Sequence, residues 1–341
     1  MIKKWYQLTG SENDTAVCTR VALSRNLSSH RFTILLDSAE KSQIAQEVMQ
    51  VLNEQLPGKF FATSMGDFSR DDAISLAERG VVSPEFVTNT EGRTFIGTAD
   101  ESLSIMVCEE DHLKIQGMLP GLETEKAYQL ADQLDTILDG ALGFSFDKKL
   151  GYLTQRPTNI GTAMRASVML QLPALHIKGN MRNFAATVSK LGLRLTGSFG
   201  EGANSIGSLY TLSNQMTLGI SEEAALANLQ SFSLSIIQQE RDAREELMQN
   251  LRFQDMLWRS VGTLKSARVM SYDEFMEALS IARIGVAAGE IDLPMTELNQ
   301  LIFRMQPANL NAANGKHLDR QARDAQRAEK IREIFNGADH S

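Results

Sequence analysis

The stretch from residue 102 to residue 141 limits the possible folds more than any other part of the chain. Ala127, Leu130, Ala131, Leu134, Ile137, Leu138 and Ala141 recur at helical spacing, with acids and glutamines opposite them. Residues 123–141 are therefore expected to form an amphipathic helix with one apolar face to bury, and Gly140 and Gly143 are its expected stop. Just before it, SLSIMV (102–107) and HLKIQGM (112–118) read as two short strands, and SLYTLSNQMT (208–217) alternates in the same manner.

The two strands flank the acidic start of CEEDHLKIQG (108–117). Its three successive carboxylates repel one another, and on a strand end or tight connection they are placed to meet a positive group. The chain as a whole points the same way. Forty-two Asp and Glu against 34 Lys and Arg give a net charge of -8, which favours a cationic ligand over nucleic acid.

From Ser221 a second helical pattern runs through Leu226, Leu229, Ile236 and Ile237 into QERDAREELMQN (239–250), read as a solvated helix face near a domain boundary. Ser271 and Glu274 form a capping-box pattern ahead of Phe275, Met276, Leu279 and Ala282. Near the end, a helix over about 318–335 puts Leu318, Ala322, Ala325, Ile331, Ile334 and Phe335 on one face. Arg320, Arg323, Arg327 and Lys330 line another, and Asn336-Gly337 is the stop. The expected class is α+β, a mixed unit over 1–250 followed by an all-α unit over 251–341.

Cys18 and Cys108 form no CxxC pair, so neither a disulfide framework nor a metal knuckle is expected. The opening MIKKWYQLTGSEND has no apolar signal core, and no apolar run approaches the roughly 20 residues that span a bilayer. A soluble cytoplasmic chain is expected. GSFGEGANSIG (197–207) is a flexible glycine loop, but there is neither a GxxxxGK loop nor a strand-GxGxxG-helix unit. Nucleotide phosphates would have to be held by side-chain cations.

Five segments carry a resemblance: TRVALSRNL (19–27), CEEDHLKIQG (108–117), YLTQRPTNIGTAMRASVML (152–170), GSFGEGANSIG (197–207) and RDAQRAEKIREIF (323–335). In this order, and over nearly the whole chain, the sequence resembles the guanido (phosphagen) kinase superfamily. It is closest to the McsB-type bacterial protein-arginine kinases, since it lacks a long N-terminal helical domain and ends with RDxxRA. The resemblance implies an antiparallel sheet flanked by helices, then a helical dimerisation and phosphoarginine-binding domain. It also implies Mg²⁺-ATP as cosubstrate and phosphorylation of arginine side chains in proteins. The implied partners are arginine-containing protein substrates, a Clp-type protease, a zinc-binding activator protein and a second copy in a homodimer, within protein quality control.

A guanidinium is planar, permanently charged and a poor nucleophile, so its phosphorylation calls for carboxylates that hold the fork and take a proton. By resemblance these are Glu110 and Glu201, with Asp111 and His112 as local support and Glu109 without a role. Arg20, Lys114 and Arg165, with Ala166 and Ser167, are the implied ATP contacts. Arg323, Asp324, Arg327 and Ala328 are the implied phosphoarginine contacts. For Arg25 a surface charge or helix-end contact is the preferred reading, and RDAREE (241–246) is read as an unrelated helix surface.

The chain departs from the family pattern among its phosphate cations. Ala22 replaces the second arginine of the first pair, Lys114 an arginine, Thr196 the arginine opening the glycine loop, and Gly80 a histidine. Arg156 stands where the family carries a cysteine, and together with Arg194 it is a candidate replacement cation. Two readings remain open beside the protein-arginine kinase: a catalytically impaired phosphoarginine-binding adaptor, and, less favoured, a kinase for free arginine or a small guanidino compound.

Overall fold

The structure, a computed structural model, describes residues 2–179, 181–198 and 205–337. Its strands are β1 (Ala16–Arg25), β2 (Phe60–Ser64), β3 (Thr94–Thr98), β4 (Leu103–Val107), β5 (Leu113–Pro120), β6 (Phe146–Asp147), β7 (Gly151–Tyr152), β8 (Met164–Gln171), β9 (Leu193–Gly197) and β10 (Leu209–Asn214). β6 and β7 form a small hairpin. The others build an antiparallel 8-stranded sheet in the order β2-β3-β4-β5-β1-β8-β10-β9. The acidic turn is the β4–β5 connection, between the two runs expected to be strands.

Helices α1 (Ser38–Gln55), α2 (Arg70–Glu78), α3 (Pro84–Thr88), α4 (Thr124–Leu142), α5 (Pro173–Ile177), α6 (Met181–Ser189) and α7 (Glu222–Met248) accompany the sheet. They are followed by α8 (Leu251–Ser266), α9 (Tyr272–Ala287), α10 (Met295–Arg304), α11 (Pro307–Asn314) and α12 (Arg320–Gly337). The class is α+β, with a helical C-terminal region.

α4 is the expected amphipathic helix, burying Ala127, Ala131, Leu134 and Leu138 against β1 and β5. Gly117 of β5 permits the close approach, because a Cβ there would come 2.3 Å from the Ala127 carbonyl oxygen. Of the two glycines expected to stop the helix, Gly143 does so with φ 70, while Gly140 lies inside it. Ala141 is exposed rather than on the buried face.

Several charges lie deeper than their spacing suggested. Arg25, read as a surface or helix-end charge, is only 1% exposed. Its Nε lies 2.8 Å from Asp135 Oδ1 on α4, and its guanidinium stacks 3.5 Å from the Tyr152 ring centroid. The run 239–250 is not simply a solvated face, and within RDAREE Arg244 is buried. Glu240 is fully buried and accepts from the Ala174 and Leu175 N–H groups at the start of α5, at 3.0 and 2.9 Å. Arg241 and Arg244 pair with Asp14 at 2.5 and 2.9 Å. Burial works to raise the Asp14 carboxyl, but these two arginines outweigh it and hold the group below the usual carboxylate range.

The C-terminal helices are tied to the rest of the chain by polar contacts, among them those of Arg283 and Glu78. Buried Arg283 of α9 donates to the Asn13 and Asp14 carbonyls at 3.2 and 3.0 Å. Glu78, at the end of α2, accepts from the Ala308 and Asn309 N–H groups at 2.9 and 2.8 Å and so caps α11.

Arg25→Ala leaves the buried Asp135 carboxylate without its cation. Urea unfolding is expected to show a loss of about 3–5 kcal/mol relative to the parent chain.

Candidate active site

Register across the sheet decides which side chains meet. Ser24 of β1 lies opposite Lys114 of β5, Ala22 opposite Gln116 and Arg165, and Arg20 opposite Met118 and Ser167. Gly117 faces α4, so by strand alternation these residues line the other face of the sheet. The row through Arg20 and Ser167 continues to Ser213 of β10 and Arg194 of β9. Ala166 lies on the helix-covered face, fully buried in the core, so its side chain is not among the groups on the site face.

Arg20, Arg165 and Arg194 form a cationic cluster. Arg165 donates to the Asn214 carbonyl at 2.9 Å. Burial, then the charges of Arg194 and Arg20, hold its guanidinium below the usual arginine range. Among the described residues none of the three forms an ion pair with a carboxylate. Like charges gathered without a counterion make a site for a polyanion.

The acidic turn stands beside this cluster and is braced by Asn26, one residue beyond β1. Asp111 accepts from Asn26 Nδ2 and from the Gln155 N–H, both at 2.7 Å. The His112 N–H donates to Asn26 Oδ1 at 2.9 Å. His112 Nδ1 accepts from the Leu27 N–H at 2.9 Å, which leaves Nε2 to donate to the Arg31 carbonyl at 2.7 Å. Burial therefore keeps His112 neutral, with its pKa below the ordinary 6.5. These contacts fix the turn and leave Glu110 at its open side.

Glu110 is 26% exposed and forms an ion pair with Nε of Arg156, itself 68% exposed. Burial raises the Glu110 carboxyl above its ordinary range; Arg156 opposes this, while Asp111 and Glu109 add to it. Glu110, Arg156, Lys114, Arg165 and Ala22 line one cavity of about 180 Å³. A second cavity of about 200 Å³ borders Arg20, Ser167, Gly80 and Met118. Of the two candidate replacement cations, Arg156 thus opens into the cavity of Glu110 and Arg165, whereas Arg194 reaches Arg165 only through its field.

Glu109, for which spacing offered no role, proves to hold Lys114. Lys114 Nζ lies 2.9 Å from Glu109 Oε2, and Ser83 Oγ donates to Oε1 of the same carboxylate. Lys114 therefore lines the cavity with its charge already matched. Nothing in the local spacing reveals this pair, because it depends on how the turn folds back over β5. Glu201 lies outside the described residues. Among the described residues no group of three or more His, Cys, Asp or Glu has the arrangement to hold a metal ion.

The RDAQRA segment is divided by the structure. Arg323 lines an open cavity of about 840 Å³ between α2, α11 and α12, together with Arg70, Lys316, His317 and Arg320. Arg327 does not share it and is not part of a basic stripe. It is 1% exposed, donates to the Met305 and Met270 carbonyls at 2.9 and 2.8 Å, and pairs with Asp324 at 2.6 Å. Ala328 is buried beside it. Arg327, Asp324 and Ala328 thus brace α12, and Arg323 is the residue of the motif that borders a cavity.

Residues 40–243 match the family model for the ATP:guanido phosphotransferase C-terminal catalytic domain, and residues 250–341 match that for the protein-arginine kinase McsB C-terminal domain. The protein-arginine kinase of Desulforamulus reducens is 40% identical over 344 residues, covering 98% of this chain and 95% of the relative. That of Caldanaerobacter subterraneus subsp. tengcongensis is 36% identical over 330 residues, covering 95% and 98%. The chain belongs to the protein-arginine kinase family.

The fold of this kinase family extends to more distant relatives. The duplicated taurocyamine kinase of Schistosoma mansoni with bound transition state analog components superimposes with a TM-score of 0.60 at 24% identity, over 68% of this chain. The match spans only 34% of that longer, duplicated protein. Lombricine kinase gives 0.59 at 18% identity, covering 71% of each chain.

Because His112 is neutral when folded and takes a proton more readily when unfolded, its contribution to stability is present above the unfolded pKa and lost as pH falls below it. The unfolding free energy is expected to drop from about pH 7.5 to about pH 5.5. Urea titrations at the two pH values should show a smaller drop in His112→Gln.

Proposed function

We propose that the protein transfers the γ-phosphoryl group of Mg²⁺-ATP to arginine side chains of other proteins. The observation that carries this reading is that Glu110 and Arg165 line one cavity, with Arg20 and Arg194 extending the positive surface along the sheet. The carboxylate side takes the guanidinium and the cationic side the phosphates. A nitrogen of the substrate guanidinium attacks the γ-phosphorus as the bond to the β,γ-bridging oxygen breaks. ADP departs, and the guanidinium gives up one proton, for which Glu110 is the acceptor. The raised carboxyl of Glu110 suits that role, since a stronger base takes the proton more readily. Most of the rate arises from positioning and from charge placed where it develops.

In this reading Arg20, Arg165, Ser167 and Arg194 contact the phosphates, with Lys114 and Arg156 available from the cavity wall; Ala166 contributes core packing under them. Glu201 is assigned as the second carboxylate on family resemblance. The magnesium ion is carried by the nucleotide phosphates. Arg323 is assigned to phosphoarginine, with Arg327, Asp324 and Ala328 holding its helix in place. The chain is read as two units, 1–250 and 251–341, and as a homodimer, for which exposed Leu251 and Trp258, two turns apart on one side of α8, offer apolar surface. A cytoplasmic setting agrees with the two free, buried thiols of Cys18 and Cys108. No helix among the described residues is long and apolar enough to cross a membrane. A Clp-type protease, a zinc-binding activator and a role in protein quality control are carried by the resemblance.

A second reading, a catalytically impaired pseudokinase acting as a phosphoarginine-binding adaptor, draws on Ala22 and on the neutralisation of Lys114 by Glu109. Incubation with Mg²⁺-ATP and an arginine-rich protein, followed by mass spectrometry of phosphoarginine, separates the two. The kinase reading expects product, its abolition in Glu110→Ala, and a fall of about a hundredfold in kcat/KM in Arg165→Ala. Absence of product from the parent chain, with phosphoarginine binding retained, selects the adaptor. Glu109→Gln releases Lys114 from its partner and is expected to lower KM for ATP about threefold, an effect that added salt reduces.

A further inference from the structure

We propose that Arg156 is a nucleotide-operated latch on the acceptor carboxylate: it pairs with Glu110 when no nucleotide is bound, and a bound nucleotide draws it across the cavity and frees Glu110. This rests on the assignment of Glu110 as the group that receives the substrate guanidinium.

The position of the Arg156 side chain is that of a competitor. Its guanidinium occupies the carboxylate that a substrate arginine would use, with the same charge and the same planar fork. Arg156 already holds one oxygen of Glu110, so a substrate guanidinium that takes the whole carboxylate fork competes with it and meets its like charge inside a cavity of about 180 Å³. The substrate guanidinium therefore gains the full fork as Arg156 leaves.

The side chain is free to leave. Among the described residues Glu110 is the one polar partner of this side chain, which is two-thirds exposed, so departure breaks a single contact. Its backbone, by contrast, is pinned. Thr154 Oγ1 donates to the Arg156 carbonyl at 2.8 Å, and the preceding Gln155 N–H donates to Asp111 at 2.7 Å. Motion is thereby confined to the side chain, which pivots beside the acidic turn.

Charge supplies the direction. Without nucleotide the cavity offers Arg156 the Glu110 carboxylate, while Glu109 is already matched by Lys114. Phosphates lying against Arg165 bring several negative charges into the same cavity. Arg156 then moves toward the phosphates and Glu110 is released to the substrate. Binding of nucleotide and of arginine substrate become mutually favourable, and linkage requires the factor to be equal in both directions. The replacement cation that shares the cavity with Ala22 thus sets an order of binding as well as adding charge.

The test is fluorescence anisotropy of a labelled arginine peptide, with and without the magnesium complex of a non-hydrolysable ATP analogue. The parent chain is expected to bind the peptide more tightly when the analogue is present. Arg156→Ala is expected to bind it about fivefold tighter than the parent in the absence of nucleotide, and to respond less to the analogue. Arg156→Lys, which keeps the charge, should retain most of the nucleotide dependence. In turnover Arg156→Ala lowers KM for the peptide and raises KM for ATP, a split that a purely structural role does not produce. Loss of peptide binding in Glu110→Ala, with no gain in Arg156→Ala, overturns the latch alone. Unchanged binding in Glu110→Ala overturns the acceptor assignment and the latch with it.

Discussion

The pairing of β1 with β5 on one side and β8 on the other is the constraint on which the rest depends. In that register the alternate residues of three adjacent strands bring Arg20, Lys114 and Arg165 to one face, although they are far apart in sequence. The opposite face is buried under α4, which comes close because Gly117 has no side chain to obstruct it. The same packing that stabilises the sheet thus leaves its charged face open. Holding Arg20, Arg165 and Arg194 near one another costs electrostatic energy in the absence of an anion, and the apolar packing on the other side offsets it.

The acidic turn is positioned by the same strand. Asn26 follows β1 directly and bonds both Asp111 and His112, so the segment that carries Arg20 also fixes the connection that carries Glu110. Asp111 and His112 spend their hydrogen-bonding capacity inside the protein, and Glu109 spends its own on Lys114 and Ser83. Of the three successive carboxylates, Glu110 is the one whose partner is an exposed side chain rather than a group held inside the protein.

The strands around the acidic turn, the amphipathic helix after them and the Ser271 cap were legible because periodicity and capping are local properties. Some misplacements were legible too, had parity been followed. Arg25 is an odd number of residues from Arg20 on one strand, which sends it to the helix-covered face and Asp135; Ala166 is out of phase with Arg165 in the same way. Arg327 stands four and eight residues before Ile331 and Phe335, which puts it on the buried face of α12. Other features were beyond the sequence. The Glu109–Lys114 and Arg156–Glu110 pairs depend on how two loops fold over the sheet, and the grip of Arg241 and Arg244 on Asp14 joins residues from opposite ends of the first 250. No local pattern encodes such meetings.

The clasp around Asp14 has a consequence for how the molecule comes apart. Arg283 of α9 holds the Asn13 and Asp14 carbonyls, and Arg244 holds the Thr15 hydroxyl, immediately before β1 begins at Ala16. If α9 detached, a buried guanidinium and two carbonyls would lose their partners together, and the entry to the central strand would lose its anchor. The sheet thus gives way to helices before residue 250 while hydrogen bonds from α9 still reach the entry to β1. Contacts of this kind couple fraying of the helical end to loosening of the strand that carries Arg20.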